Sequence, residues 1–497
     1  MTLHIDPSPA PRAERALVGL RRPAAAAELE WPRRVGILND YVRVPYANGS
    51  SFASQFLYRE LSVRGHEVTI IGPHDPDATE AELPRRHVVL PSFPLRNHPG
   101  VHVPMPSRAS FARVAAAQLD VVLAQCTTSM LDLGLWLRLR HRVPFVCVNT
   151  LHLPSVYNVL LPDSLNENRA VNSFFSGAMM PWVERQMAAN YNRSDGLVVL
   201  SEKLERYWRE RGVTVPIHVI PRSVEPKVFD APIGADPFPA EARRGARLLV
   251  VCRHSREKGI ARLLEIFARW IAPEVPEATL TLVGDGPDHD AFRARAAELG
   301  IADRAFFVGE KRLLELPTWY RHADLFVYTS LSETYGQVVS EAAWCGLPIV
   351  ALEDGMGVSQ QVRDGETGVL VRPGPDTASS DWKFGTAAVA LLRNGHRRRA
   401  LAHRAQEHAR LRADPRRCVQ RYYDAFTDAK RHCEESTRTP ASRLLPAGLV
   451  GRWVGLHSLL LGLGTLREPA VLNRHGARPP TWEELLREDD PVLANAH

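Results

Sequence analysis

Two glutamates eight residues apart, Glu333 and Glu341, flank the start of a helix in the segment LSETYGQVVSEAAWCGLPIV at 331–350. The apolar run at 323–330 reads as a strand, so Glu333 falls in the loop at its exit, and Gly336 lets the backbone turn closely into the helix that carries Glu341. A helix start offers unpaired N–H groups and the positive end of the helix dipole, which suits a phosphate. Carboxylates beside it suit sugar hydroxyls, so one short segment can hold the diphosphate, hexose and ribose of a sugar nucleotide. The same letters also fit a surface loop with two solvated glutamates.

A cationic segment, RHSREKG at 253–259, places Arg253 after a strand and Lys258 just before a helix starting near Gly259. Arg presents a planar fork to phosphate oxygens and Lys a mobile point charge, so the pair could neutralise a diphosphate leaving group. Taken alone it is equally a solvated charged loop. At the exit of the first strand, Asn39-Asp40-Tyr41 leads to Asn48-Gly49-Ser50-Ser51 and a helix. There is no G-x-G-x-x-G, which removes the main support for a nicotinamide-binding reading. Gly49 suits a phosphate or an acceptor there, and equally an ordinary loop-to-helix turn. TLHLP at 150–154 follows another strand and puts His152 at a sheet edge, where a histidine can donate to a sugar hydroxyl or steady a developing charge. A lone histidine is more often structural.

The elements that must hold these residues alternate in type. Apolar strands at 35–38 and 67–71 enclose a helix at 51–64, a βαβ unit, and further strands follow at 121–124, 144–148 and 196–200 with helices at 131–142 and 178–191 between them. A Pro-rich stretch, APIGADPFPA at 231–240, interrupts the pattern and reads as a linker. Strands at 248–252, 279–283 and 305–308 alternate with helices at 259–270 and 288–299 beyond it. The expectation is an α/β protein with two doubly wound, Rossmann-like domains facing a cleft: a leader at 1–32, a first domain at 33–230, the linker, a second domain at 241–434 and an extension at 435–497. The helix-rich stretch 385–430 would close the second domain or cross back to the first.

A chain of 497 residues can bury two large cores, and its 45% hydrophobic and 24% charged residues exclude a disordered or fibrous chain. The net charge of +6 is spread evenly: residues 1–235 hold 26 Lys and Arg against 22 Asp and Glu, and the remainder 36 against 34, so no basic domain stands apart to bind nucleic acid. The six cysteines are scattered without zinc spacing and read as reduced thiols, and no continuous apolar run marks a signal peptide in the first thirty residues. Both point to a cytoplasmic protein. The run at 444–466 is apolar but contains Arg452, His457 and Pro446, which argues against spanning a bilayer. It reads either as a helix lying in the membrane interface, a peripheral contact, or as one packed on the enzyme body.

In order along the chain, GHEV at 65–68, RHSREKG, TLVGDGP at 281–287, the E-x(7)-E pair within SETYGQVVSEAAWCGLP and DGETGVLV at 364–371 give a composite pattern. Over roughly 34–430 the chain resembles the GT-B-fold, retaining glycosyltransferases of glycosyltransferase family 4. The resemblance implies that Arg253 and Lys258 bind the donor diphosphate, Glu333 contacts the donor hexose, Glu341 the ribose, and Gly336 brings amides to the phosphate. His152 matches the histidine near the donor sugar, Gly49 the second glycine of a Gly-Gly pair, and Gly284, Thr334 and Tyr335 join the donor contacts. Two departures stand out: Asn48-Gly49 where the family commonly has Gly-Gly, and Arg222-Ser-Val-Glu225 where it commonly has N-G-V-D. TLHLP with Tyr157, and the Ser-Val-Glu turn before Phe229, resemble members that glycosylate lipids.

The expected activity is metal-independent transfer of a hexose from a UDP- or GDP-sugar, a co-substrate with no bound cofactor, to an acceptor hydroxyl with retention. The acceptor would be a lipid or cell-envelope glycan. Two rival readings use the same site: a nucleotide-sugar epimerase on this fold, and a binder of nucleotide sugar without catalysis.

Overall fold

The computed structural model describes residues 31–42, 49–80, 83–94, 102–105, 108–126, 129–150, 168–374 and 376–436. The sequence readings for most of the leader, for His152 and for the tail lie outside these residues.

Short apolar runs become strands here because helices cover both faces of the sheet, so every side chain along them can be buried. The first half supplies β1 (Arg34–Leu38), β2 (Glu67–Pro73), β3 (His87–Leu90), β4 (Ser92–Pro94), β5 (His102–Pro104), β6 (Val121–Ala124), β7 (Phe145–Val148), β8 (Gly196–Val199) and β9 (Ile217–Val219). Apart from the antiparallel pair β4–β5 they form one parallel sheet in the order β3-β2-β1-β6-β7-β8-β9. β1 is an inner strand, with Val35 opposite Val68 on one side and Val121 on the other. Its helices are α1 (Gly49–Val63), α2 (Arg108–Ala116), α3 (Ser129–His141), α4 (Arg169–Phe174), α5 (Met180–Tyr191) and α6 (Glu202–Glu210). α4 runs into α5 through a π turn at Phe175–Met179, so this helix begins nine residues before its sequence-predicted start. Gly65, in the left-handed region at φ +92°, turns the chain from α1 into β2 and donates its N–H to the Ser62 carbonyl at 3.0 Å.

The second half forms β10 (Arg247–Val251), β11 (Thr279–Val283), β12 (Ala305–Phe307), β13 (Leu325–Tyr328), β14 (Ile349–Leu352) and β15 (Val369–Val371), a parallel sheet ordered β12-β11-β10-β13-β14-β15. Around it lie α7 (Ile260–Ile266), α8 (His289–Glu298), α9 (Leu316–His322), α10 (Gln337–Trp344), α11 (Thr377–Arg393) and α12 (Gly395–Arg412). The two sheets are the Rossmann-like pair that the alternation predicts.

Two boundaries differ from the sequence reading. The core of the first sheet ends at Ile220, and Val224, Val228 and Phe229 already belong to the core of the second. The chain therefore crosses between them at 221–223, ahead of the stretch 231–240, which lies on the second domain: Phe238 is buried in its core, and the carbonyl of Ala231 accepts from Arg321 at 2.5 Å. The Pro-rich letters mark a segment without repetitive structure and do not say which body it packs on. The last helix, α13 (Pro415–Glu435), falls within the span assigned to the second domain but returns to the first, burying Val419, Tyr422, Ala425, Phe426 and Ala429 against residues of β1, β6, β7 and α1. The fully buried carboxylate of Asp195 ties this return down, accepting from the Phe145 N–H at 3.0 Å, the Arg138 guanidinium at 2.8 Å and His432 Nδ1 at 2.9 Å.

Phe426→Ala empties a site with no solvent access and should cost roughly 3–5 kcal/mol, read as a lowered urea midpoint. Trp382→Ala, at a side chain 49% exposed on α11, should leave the midpoint nearly unchanged.

Candidate active site

Three loops meet at the carboxyl edge of the second sheet, and close backbone approach fixes them together. β10 lies between β11 and β13, so the loops leaving these parallel strands emerge side by side. The turn after β11 rests on the loop after β10: a Cβ on Gly284, whose φ is +134°, would stand 1.9 Å from the Cys252 carbonyl oxygen. A side chain at either Gly284 or Gly259 would drive these loops apart, for a Cβ on Gly259 (φ +69°) would lie 2.8 Å from the Thr329 oxygen at the end of β13. Gly284, expected among the donor contacts, thus has a packing task in the structure.

This convergence brings Lys258 and Glu333, 75 residues apart in sequence, to 2.6 Å. Glu333 Oε1 also accepts from the Tyr328 hydroxyl and the Ser330 hydroxyl, each at 2.7 Å, so three donors gather on one carboxylate oxygen. Burial alone would raise the Glu333 pKa, but the Lys258 charge and hydrogen bond, with Ser330 and Tyr328, hold it below the usual carboxylate range. Burial would likewise depress Lys258, and the Glu333 carboxylate outweighs it and holds the ammonium above its ordinary value. Both groups therefore stay charged, and removing either leaves the other unpaired in a partly buried place.

Arg253 lies beside this pair with its guanidinium on the Glu257 carboxylate at 2.8 Å, and the Ser255 hydroxyl donates to the same oxygen at 2.5 Å. Burial would raise Glu257, and Arg253 leads the interactions that hold it low. Glu257 was not among the sequence-predicted residues, although its i,i+4 spacing from Arg253 was in plain view. Between them His254 is fully buried, its Nδ1 2.9 Å from His289 Nδ1, so one ring must carry the proton that the other accepts. Burial, then the neighbouring His289, pushes the His254 pKa down to about 4, and it stays neutral near pH 7.

α10 begins at Gly336, which caps it in the left-handed region at φ +78°. One turn along, Glu341 is buried with the Tyr320 hydroxyl of α9 donating to its Oε2 at 2.9 Å. Burial lifts its pKa to about 7, with Tyr320 and Gln337 partly opposing. Thr334 and Tyr335, read from the sequence as donor contacts, reach the first domain. The Thr334 hydroxyl donates to the Thr150 carbonyl at 3.3 Å, the Tyr335 hydroxyl to the Arg222 carbonyl at 3.1 Å, and the Tyr335 ring, 2% exposed, joins the first domain's core. Gln337 adds a bond from its side-chain amide to the Ser223 carbonyl at 3.0 Å. The Tyr335 side chain is thus committed to joining the two bodies and leaves only its backbone to a ligand. Gly49 is the first residue of α1, as its loop-to-helix reading requires.

The structure accordingly gathers Arg253, Lys258, Glu333 and Gly336 at one sheet edge, with Glu341 buried in the helix that follows, on Tyr320. Sequence reasoning missed Glu257, Tyr328, Ser330, Tyr320 and Gln337, and for Tyr320 no local signal exists, because its partner lies on another helix. Among the described residues no group of three or more His, Cys, Asp or Glu is arranged to hold a metal ion. No described helix is long and apolar enough to cross a membrane.

Residues 48–228 match the family described as Glycosyltransferase Family 4, and residues 238–407 the family described as Glycosyl transferases group 1. The chain is 26% identical over 326 residues to the alpha-monoglucosyldiacylglycerol synthase of Streptococcus pneumoniae, an alignment that covers 64% of this chain and 70% of that one. With D-inositol 3-phosphate glycosyltransferase 2 of Catenulispora acidiphila it shares 37% identity over 172 residues, 33% of this chain and 39% of the relative. Among solved structures, the sucrose-phosphate synthase of Thermosynechococcus elongatus superposes with a TM-score of 0.60 at 21% identity, covering 80% of this chain and all of that one. The Anabaena protein HepE, solved with UDP and glucose, gives 0.58 at 18% identity over the same shares. With both halves matched and both Rossmann-like sheets in place, the chain belongs to glycosyltransferase family 4, on the GT-B fold.

Proposed function

We propose that the protein transfers a hexose from a UDP- or GDP-sugar to an acceptor hydroxyl with retention at the anomeric carbon, and without a metal ion. The observation that carries this reading is the partly buried Lys258–Glu333 pair beside the start of α10 and within the same loop cluster as Arg253. When the bond from the anomeric carbon to the diphosphate oxygen breaks, its electron pair goes to that oxygen, and Lys258, Arg253 and the amides at Gly336 would stabilise the negative charge that develops. The acceptor oxygen bonds to the same face of the anomeric carbon while its proton passes to the departing phosphate oxygen, a route that needs no enzymatic nucleophile. Glu333 would meet the hexose hydroxyls with its second oxygen, since the three protein donors gather on Oε1, and Glu341 would accept from the ribose. His152 would lie near the donor sugar, as the family resemblance implies.

A lipid acceptor is supported by the Streptococcus pneumoniae relative, a synthase named for a glucosylated diacylglycerol. UDP-glucose is the first donor to try, because HepE was solved with UDP and glucose. Release of UDP that depends on added acceptor would support transfer. Conversion of the donor without acceptor would favour the epimerase, and binding without turnover the inert binder.

Lys258→Ala should lower kcat by roughly 100- to 1,000-fold, the usual loss when a stabiliser of transition-state charge is removed. Steady-state nucleotide release checks this, and unchanged kcat would remove Lys258 from the mechanism.

Glu341 gives a pH dependence. Its folded pKa of about 7 lies above the ordinary 4.5, so its contribution to stability is full below about pH 4.5 and is lost as pH rises through 7. Ribose hydroxyls prefer the ionised carboxylate, so UDP-glucose should bind up to about tenfold more tightly at pH 8 than at pH 6. Calorimetry on the wild type and on Glu341→Gln, in which the pH dependence should flatten, is the check.

A further inference from the structure

The helix formed by α4, the π turn and α5 runs on past the body it packs against. α5 seats Ala188 and Tyr191 in the first domain's core, whereas none of the described residues from 168 to 179 is buried. A helical end without packing gains little stability of its own. In a regular helix Phe174 and Trp182 would point about 80° apart, but the π turn at Phe175–Met179 acts as one inserted residue and leaves the two within about 20° of each other, two turns on. Phe174, Ala178 and Trp182 thus form one exposed stripe, with Phe174 58% and Trp182 57% accessible, and the Phe175 ring stands edge-on to Phe174 at 5.9 Å.

The charge on this helix is one-sided. Its exposed residues from 168 to 193 include Arg169, Arg185 and Arg193 and no carboxylate. The one carboxylate of the segment, Glu184, is turned to the protein, accepting from the Tyr207 hydroxyl and from Arg211 Nε at 2.9 Å.

We propose that this stripe docks the first domain on an anionic lipid bilayer, with Phe174 and Trp182 entering the interfacial layer and Arg169 and Arg185 meeting lipid phosphates. Large aromatic rings on a helix whose exposed charges are all arginine fit that surface. A second copy of the chain fits less well, because a two-fold contact through this face would set arginine against arginine. The inference is independent of the donor chemistry and places membrane contact on the first domain, apart from the C-terminal tail.

The test uses the full chain, tail included, sedimented with vesicles of phosphatidylcholine alone or containing one-third phosphatidylglycerol. Wild type should partition onto the anionic vesicles and scarcely onto the neutral ones. Phe174→Ser with Trp182→Ser should weaken that partitioning by about tenfold or more, since two large apolar side chains leave the interface. Arg169→Glu with Arg185→Glu should do the same. Both double variants lie at exposed positions and should keep the wild-type melting temperature and nucleotide binding. Equal partitioning of wild type and both variants would overturn the proposal and leave the tail as the contact. A solution dimer that dissociates in the Phe174/Trp182 variant would overturn it in favour of a contact between copies.

Discussion

A lysine and a glutamate drawn mostly out of water, their side chains 20% and 12% exposed, carry a desolvation cost, and here it is met by geometry: Lys258, Tyr328 and Ser330 all reach one oxygen of Glu333. That arrangement exists only because Gly259 lies against the end of β13 and Gly284 against the end of β10, positions where a side chain cannot fit. Removing one partner of a fully buried pair costs about 3–5 kcal/mol because it leaves the other charge unpaired, and solvent access lowers that cost for this one. The same cluster holds Arg253 on Glu257, so both cations proposed to meet a diphosphate already have carboxylate partners. A phosphate entering the site would meet cations held in place instead of side chains that must first be ordered, which limits the entropy lost on binding.

The two domains are joined by more than the crossing at 221–223. The loop that carries Glu333 also sends Thr334 and Tyr335 into the first domain, and α13 leaves the second domain to complete the core of the first. A shift of the first domain would be felt within two residues of Glu333. A closure of the domains around a donor would therefore be mechanically connected to the electrostatics of the site, which suits a reaction in which water must be kept from an activated sugar.

Much of this was legible in the letters. Alternating apolar runs and amphipathic segments announced both parallel sheets, because strands buried on two faces leave little choice of residue. Lys258 and Glu333 could be singled out by type and by their places at a strand exit and a helix start. What the letters did not carry was partnership across elements: Tyr320 on one helix reaching Glu341 on the next, or Tyr328 turning its hydroxyl to Glu333 from inside a strand. The destination of α13 was hidden for a similar reason, since an apolar face states that a helix is covered and not by which sheet. Tyr335 misled because an aromatic residue beside a ligand loop reads alike whether it faces the ligand or plugs a neighbouring core.

The most direct measurement is a crystal structure with UDP bound. The diphosphate should lie within hydrogen-bonding distance of Lys258 Nζ and of Arg253, with the ribose hydroxyls on Glu341 and the phosphate near the N–H groups at Gly336. UDP bound elsewhere on the chain, with no phosphate near Lys258 and no ribose near Glu341, would contradict it.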